Sequence, residues 1–222
     1  MRNILLALLM MVALISCQKE ESNPVGNNGN QSQNGNSEAE NSYYPTSKGS
    51  WWKYSGILQG KFLSQVITCS DEKLIDGSYY ATMTAVGSNG ATSISYIRVQ
   101  NHEYFNIGLK QNEIAKKENE VCILKEDKPV GEKWTTPPVL VGTTPNRYVN
   151  EILETNGTYV IKGKTFQNVL VLKIIDEVEM IPGSDDWFPM LTSRAYFSKG
   201  IGLIKADYGV LGSQEIEDYS IK

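Results

Sequence analysis

The apolar residues divide this chain of 222 residues into three parts. Residues 4–15 are an uninterrupted apolar run, residues 22–42 contain one valine and one alanine as their only apolar side chains, and from Tyr43 onward apolar and polar residues alternate in short runs. The middle part cannot bury enough apolar surface to offset its conformational entropy. We therefore expect a leader over 1–16, a disordered tether over 17–42 and one folded domain over 43–222.

The first half of the domain predicts a three-strand antiparallel meander. Strands are predicted over residues 62–69, 78–86 and 92–99, which are rich in β-branched and aromatic residues. Asp76-Gly77 and Asn89-Gly90 separate them, and both pairs tolerate the positive φ that tight hairpin turns require.

The second half continues the pattern. Asn156-Gly157 predicts a hairpin turn between strands over 148–153 and 158–162, and Lys199-Gly200 predicts another between 193–198 and 201–206. The apolar run 169–175 predicts a buried strand, residues 213–221 predict the last strand, and residues 110–120 predict a short helix or an extended loop. The fold class is therefore all-β, an antiparallel meander that forms a sandwich or a curved, partly open barrel.

The leader has the composition of a secretory signal. Arg2 precedes about 12 apolar residues, which span roughly 18 Å as a helix and cannot cross a bilayer core of about 30 Å. Leu14-Ile15-Ser16-Cys17 then resembles the lipobox of bacterial lipoproteins. The resemblance implies cleavage before Cys17 and attachment of lipid, palmitate among it, to that cysteine. An ordinary soluble secretory signal is the alternative.

Residues 18–21 (QKEE) resemble the acidic export tag of surface lipoproteins in the Bacteroidota. This implies a lipid-anchored protein of the outer membrane, exposed at the cell surface, whose partner through the anchor is the membrane. Residues 43–54 (YYPTSKGSWWKY), 163–170 (GKTFQNVL) and 195–205 (AYFSKGIGLIK) resemble recurring elements of uncharacterised β-rich lipoproteins from the same phylum. Those elements carry no known chemistry, so the resemblance implies no catalytic residue.

The net charge of −4 becomes −5 when Arg2 is lost with the leader. A mildly acidic domain disfavours binding to nucleic acid or to a membrane through a basic patch. Cys69 and Cys122 are a candidate disulfide, which would close a loop of about 53 positions and stabilise the domain by roughly 4 kcal/mol. Two buried free thiols are the interpretation that we favour, because a domain of this size does not need a crosslink.

Few residues suggest chemistry. His102 is the only histidine, no Cys or His stands at zinc-ligand spacing, and no Gly-x-Ser-x-Gly motif occurs, so we predict no metal, no cofactor and no catalytic residue. Asp185 and Asp186 are candidates for calcium binding or for the carboxylates of a hydrolase, although a solvated loop is the simpler interpretation. Trp52 and Trp187 are the pair that we expect to be exposed, where they would contact a ligand such as a sugar ring.

Three functions remain open. The first is a non-catalytic domain that binds a glycan, a protein or another envelope component. The second is a half-barrel carrier or receptor of lipids or lipoproteins, which needs an apolar concavity too large for its own side chains. The third is a carboxylate-based hydrolase, which needs two carboxylates across a cleft.

Overall fold

The computed structural model describes residues 41–108, 114–141 and 143–222. The predicted leader, Cys17 and nearly all of the predicted tether lie outside these residues. The described chain is almost entirely β-structure, with two short 3₁₀ turns at 117–119 and 209–211. No helix among the described residues is long and apolar enough to cross a membrane. The thirteen strands are β1 Trp51–Leu58, β2 Lys61–Ile75, β3 Ser78–Gly87, β4 Thr92–Gln100, β5 Glu103–Gly108, β6 Val121–Lys125, β7 Lys133–Thr135, β8 Val139–Val141, β9 Thr144–Ile161, β10 Lys164–Glu179, β11 Trp187–Ser198, β12 Gly202–Asp207 and β13 Gly212–Ser220.

All thirteen strands belong to one antiparallel sheet, which confirms the predicted meander. The order is β6-β5-β4-β3-β2-β1-β13-β12-β11-β10-β9-β7, and β8 pairs with β9. Strand pairing does not close the sheet, because β6 and β7 lie at opposite ends of this order. The indole Nε1 of Trp134 in β7 nevertheless donates a hydrogen bond to the carbonyl oxygen of Cys122 in β6 at 2.9 Å. The sheet therefore curls until its two edges approach each other.

Three of the four predicted turns form where expected, among them Lys199-Gly200 between β11 and β12, and one does not. Asp76 and Gly77 connect β2 to β3 with φ of 46° and 80°, and residues 88–91 connect β3 to β4. Asn156 also has positive φ, at 59°, but it lies inside β9, and the hairpin turn follows at Lys162 and Gly163. The prediction of a turn at Asn156-Gly157 is wrong. The register of β9 against β10 shifts at this point, so the left-handed residue forms a bulge that bends the strand.

The inner face of the curled sheet carries the core. Because alternate residues of a strand point to opposite faces, the register places Trp52, Tyr54, Met83 and Ile97 on the same face as Leu172 of β10. All five side chains are buried. Side chains of the sheet's own strands therefore fill the concave side.

Two segments cover parts of the outer face. The bent tip of the β9–β10 hairpin lies over β11 and β1, where the Tyr159 ring contacts the Tyr196 ring at 5.1 Å and Lys162 Nζ lies 2.6 Å from Ser55 Oγ. On the other flank, Ala115 packs against a buried cluster that includes Tyr80 and belongs to β2–β5. This cluster consists of Ile75, Tyr80, Tyr96 and Ile107.

Candidate functional site

The outer face of β1–β4 stays open between these two covers. The register aligns its outward side chains in rows, with Trp51, Thr68, Thr84 and Ile94 in one row and Lys53, Val66, Val86 and Thr92 in the next. Ser55 and Ser64 form the third row, and Ile57 and Phe62 form a fourth row near the β1–β2 turn. We call this surface the outer platform, and it comprises Trp51, Ile57, Phe62, Val66, Thr68, Thr84, Val86 and Ile94.

The outer platform is apolar and accessible. Exposed fractions are 59% for Ile57, 68% for Phe62, 38% for Val66, 44% for Val86 and 40% for Ile94. Isolated apolar side chains are common on protein surfaces, but a contiguous group on one face marks an interaction site in many proteins. Lys53 beside the platform is paired with Glu217 at 2.9 Å, so its charge is partly compensated within the chain.

The expectation that Trp52 is exposed is wrong. Trp52 is 3% exposed, and its indole donates a hydrogen bond to the carbonyl oxygen of Ile201. Its neighbour Trp51 points to the outer face and is partly exposed. Adjacent tryptophans in a strand must face opposite sides, and the sequence could not show which of the two faces the core.

The loop with the paired carboxylates is a hairpin tip beyond the end of the neighbouring strands. Asp185 accepts a hydrogen bond from Trp187 Nε1 at 2.9 Å, and its own backbone N–H donates to Glu179 Oε1. The guanidinium of Arg147 lies 4.2 Å from the centre of the Trp187 indole, so one ring face is already occupied. Asp185 and Asp186 are exposed, and neither belongs to a group of three His, Cys, Asp or Glu ligands among the described residues. Among the candidate ligand residues, Asp185 and Trp187 therefore contact each other, whereas Trp52 lies in the core, apart from Trp187.

Cys69 and Cys122 are free thiols, so the candidate disulfide between them does not form in the structure. The thiol of Cys69 donates to the carbonyl oxygen of Thr46, and that of Cys122 donates to the carbonyl oxygen of Leu124. Burial raises the pKa of each thiol to about 11. Both groups are therefore protonated and unreactive at neutral pH.

A small cavity lies at the inner face of the sheet. A cavity of about 10 Å³, beside Tyr208 and Gln214, is no larger than one water molecule needs. Asp176 lies deeper in the same face, and burial raises the pKa of its carboxyl to about 6 although Asn146 donates a hydrogen bond to it. Because Asp176 is only 6% exposed, a substrate cannot reach this carboxyl in the described conformation. This cavity is too small for a lipid chain, and Asp176 is closed to a substrate.

One cluster of titratable residues was not predicted from the sequence. His102 in the β4–β5 turn meets Glu126 and Asp127, which follow β6, and their ligand atoms lie within 4.8 Å of one another. His102 and Glu126 are 24 positions apart in sequence, so the cluster was not recognised, because only the pairing of β5 with β6 brings them together.

No protein-family model matches the chain, and no curated protein matches it. Two solved structures are similar in fold. A protein from Bacteroides fragilis, described as exported and YmcC-like in fold, has a TM-score of 0.52 at 8% identity over 80% of this chain and 98% of its own. A protein from Parabacteroides distasonis, described as a lipoprotein, has a TM-score of 0.50 at 11% identity over 81% and 99%. This chain therefore shares its fold with these two proteins from Bacteroidales.

Proposed function

We propose that this chain is a lipid-anchored exported protein of the outer membrane, exposed at the cell surface, whose β domain binds a protein partner without catalysis. The observation that carries the binding function is the outer platform, five exposed apolar side chains left open between two covered flanks. The lipobox at Cys17 supports the anchor, and the two structural neighbours described as exported or as a lipoprotein agree with an envelope location.

The chemistry of the platform favours a protein over a glycan. Its exposed side chains are mainly aliphatic, with Val66, Val86 and Ile94 at its centre and threonines between them. Aliphatic surface complements another apolar protein surface, whereas sugar rings stack on aromatic faces and need polar groups at fixed positions. The platform has two aromatic side chains, in different rows: Trp51 is only partly exposed, and Phe62 is 68% exposed near the β1–β2 turn.

The size of the platform predicts a modest affinity. Four strands about 4.8 Å apart and rows about 6.8 Å apart give a surface of roughly 400–500 Å². A stable interface of standard size buries about 800 Å² on each partner. The platform by itself therefore suits a transient contact, which display on a membrane would favour by confining both partners.

The anchor is tested by Cys17→Ser. We expect loss of metabolic palmitate labelling and an uncleaved or soluble product, because Cys17 is the acceptor of the lipid. Normal palmitate labelling of this variant would contradict the lipoprotein assignment, and it would leave the binding function of the domain untouched.

Binding is tested by photo-crosslinking in cells that express the full chain. A photoreactive phenylalanine analogue replaces Val66 in the platform, and the matched control replaces Val160, which is 69% exposed on the β9–β10 hairpin. We expect a discrete protein adduct from position 66 that is absent from position 160 and disappears when Ile94→Lys is added. Equal adducts from both positions, or none from position 66, would contradict the proposal. An adduct with the mass of two copies would identify the partner as this chain itself.

A further inference from the structure

A cluster of three potential metal ligands lies at the end of the sheet where the described chain begins. His102 occupies the β4–β5 turn, and Glu126 and Asp127 directly follow β6. The backbone N–H of Glu126 donates to the carbonyl oxygen of His102 at 2.8 Å, so the two segments are held side by side. His102 and Asp127 are well exposed, and the Glu126 side chain is largely buried.

The distances between the ligand atoms fit a metal ion better than direct ion pairs. His102 Nδ1 lies 3.4 Å from Asp127 Oδ2 and 4.0 Å from Glu126 Oε2. Good charge-assisted hydrogen bonds are about 2.7–2.9 Å long, so neither contact is one. Tetrahedral coordination with bonds of about 2.0–2.1 Å places neighbouring ligands roughly 3.4 Å apart. The three ligand atoms lie within 4.8 Å of one another, so the two carboxylates would have to move closer to the imidazole and to each other to complete three corners of a tetrahedron.

Contacts around Glu126 position one oxygen for this role. The buried Tyr104 hydroxyl donates to Glu126 Oε2 at 2.7 Å, which orients the carboxylate in the way that outer-shell partners orient metal ligands. Lys199 Nζ lies 2.8 Å from the other oxygen, Oε1. The lysine leaves Oε2 facing His102, but its positive charge opposes a cation.

We propose that His102, Glu126 and Asp127 bind a divalent transition-metal ion of the zinc class. One imidazole nitrogen and two carboxylate oxygens form a borderline donor set that zinc accepts, whereas calcium and magnesium prefer oxygen alone. Three protein ligands leave one tetrahedral position for water or for a group from another molecule. This proposal is independent of the outer platform and of the anchor.

The test exploits the fact that His102 is the only histidine of the chain. The full chain, purified without a histidine tag, is titrated with Zn²⁺ by calorimetry and with Co²⁺ by proton NMR. We expect one saturable site and selective broadening of the two ring-proton signals of the single imidazole by Co²⁺. Calorimetry without saturation, or ring signals that Co²⁺ does not affect, would overturn the proposal.

Variants at exposed positions separate coordination from folding. His102→Ala and Asp127→Asn should each weaken zinc binding at least tenfold, whereas Asp71→Asn, at an exposed carboxylate paired with Lys48, should leave it unchanged. Lys199→Met should tighten binding, because it removes the competing cation from Glu126. Zinc binding that is unaffected by His102→Ala would overturn the assignment of the site even if the chain binds zinc.

Hydrogen exchange of the Tyr43 amide, at the start of the domain, is a second measurement of zinc binding. The Tyr104 hydroxyl that donates to Glu126 also accepts a hydrogen bond from the backbone N–H of Tyr43 at 3.0 Å. Zinc bound to Glu126 should hold Tyr104 more rigidly and slow hydrogen exchange of the Tyr43 amide. Exchange at Tyr43 that is the same with saturating zinc and without it would contradict coordination through Glu126.

Discussion

The indole Nε1 of Trp52 donates a hydrogen bond to the carbonyl oxygen of Ile201 at 2.6 Å, between residues 149 positions apart. Trp52 lies in the first strand, and Ile201 belongs to the turn between β11 and β12. Gly202 follows Ile201 with a φ of 105°, a backbone conformation that suits glycine and that other residues rarely adopt. The contact links β1 to the turn that precedes β12, two strands away in the sheet order.

Trp52→Phe should destabilise the domain by about 2–4 kcal/mol. The change removes part of a buried ring and leaves the Ile201 carbonyl without its donor. The measurement is the free energy of unfolding in urea. Trp51→Phe is the matched control and should cost less than about 1 kcal/mol, because Trp51 is partly exposed on the outer face. Equal losses from the two substitutions would contradict the assignment of Trp52 to the core.

Asp176→Asn should stabilise the protein at pH 8 and have little effect near pH 3.5. Burial raises the carboxyl pKa from 3.8 to about 6, so the folded state retains a proton that the unfolded state releases. The wild type therefore loses stability as pH rises from about 4 to about 6. The difference reaches at most about 3 kcal/mol, since one pKa unit corresponds to about 1.4 kcal/mol.

Thermal unfolding of both proteins across this pH range measures the effect. Asp71→Asn is the control, because the Asp71 side chain is 78% exposed. An Asp176→Asn variant that is less stable than wild type at pH 8 would show that the charged carboxylate is stabilised by contacts, against the burial argument.

Arg98→Met should destabilise the domain by about 3 kcal/mol. Arg98 makes two hydrogen bonds, of 2.8 and 2.7 Å, to the two carboxylate oxygens of Glu120, and both side chains are largely buried. Removal of one partner leaves the other charge buried and unpaired. Although burial opposes ionisation, hydrogen bonds from Arg98 and Tyr80 lower the pKa of Glu120 below its ordinary value.

The double variant Arg98→Met with Glu120→Gln tests this explanation by chemical denaturation. It should be more stable than Arg98→Met alone, because no charge is then left uncompensated. Lys164→Met, in a more exposed pair with Asp218, should change stability by about 1 kcal/mol or less.

Cys69 and Cys122 should resist alkylation in the native protein. With a pKa of about 11, roughly one thiol in a thousand is ionised at pH 8, which slows reaction at least 100-fold relative to an exposed cysteine. Mass spectrometry should find both thiols modified by iodoacetamide after unfolding without a reductant. A requirement for reductant before modification would indicate a disulfide instead.

The local sequence was sufficient where the structure depends on neighbouring residues. Asp76-Gly77 adopts positive φ at both positions because these residue types tolerate it, and the meander of β2–β4 follows from that turn and the alternating pattern. The run 169–175 predicts a buried strand, and Val169, Leu170, Val171 and Leu172 are indeed buried. The antiparallel fold class needed no further information.

Tertiary structure decided what depends on distant partners. Asn156 suits a turn or a bulge equally well, and only the register of β10 selects the bulge that carries the hairpin tip over the outer face. The alternation of side chains shows that Trp51 and Trp52 face opposite sides, but the rest of the fold determines which side is the core. The outer platform and the cluster of His102 with Glu126 exist for the same reason. The platform depends on which part of the outer face the other segments leave open, and the cluster depends on the pairing of β5 with β6. A local pattern contains neither.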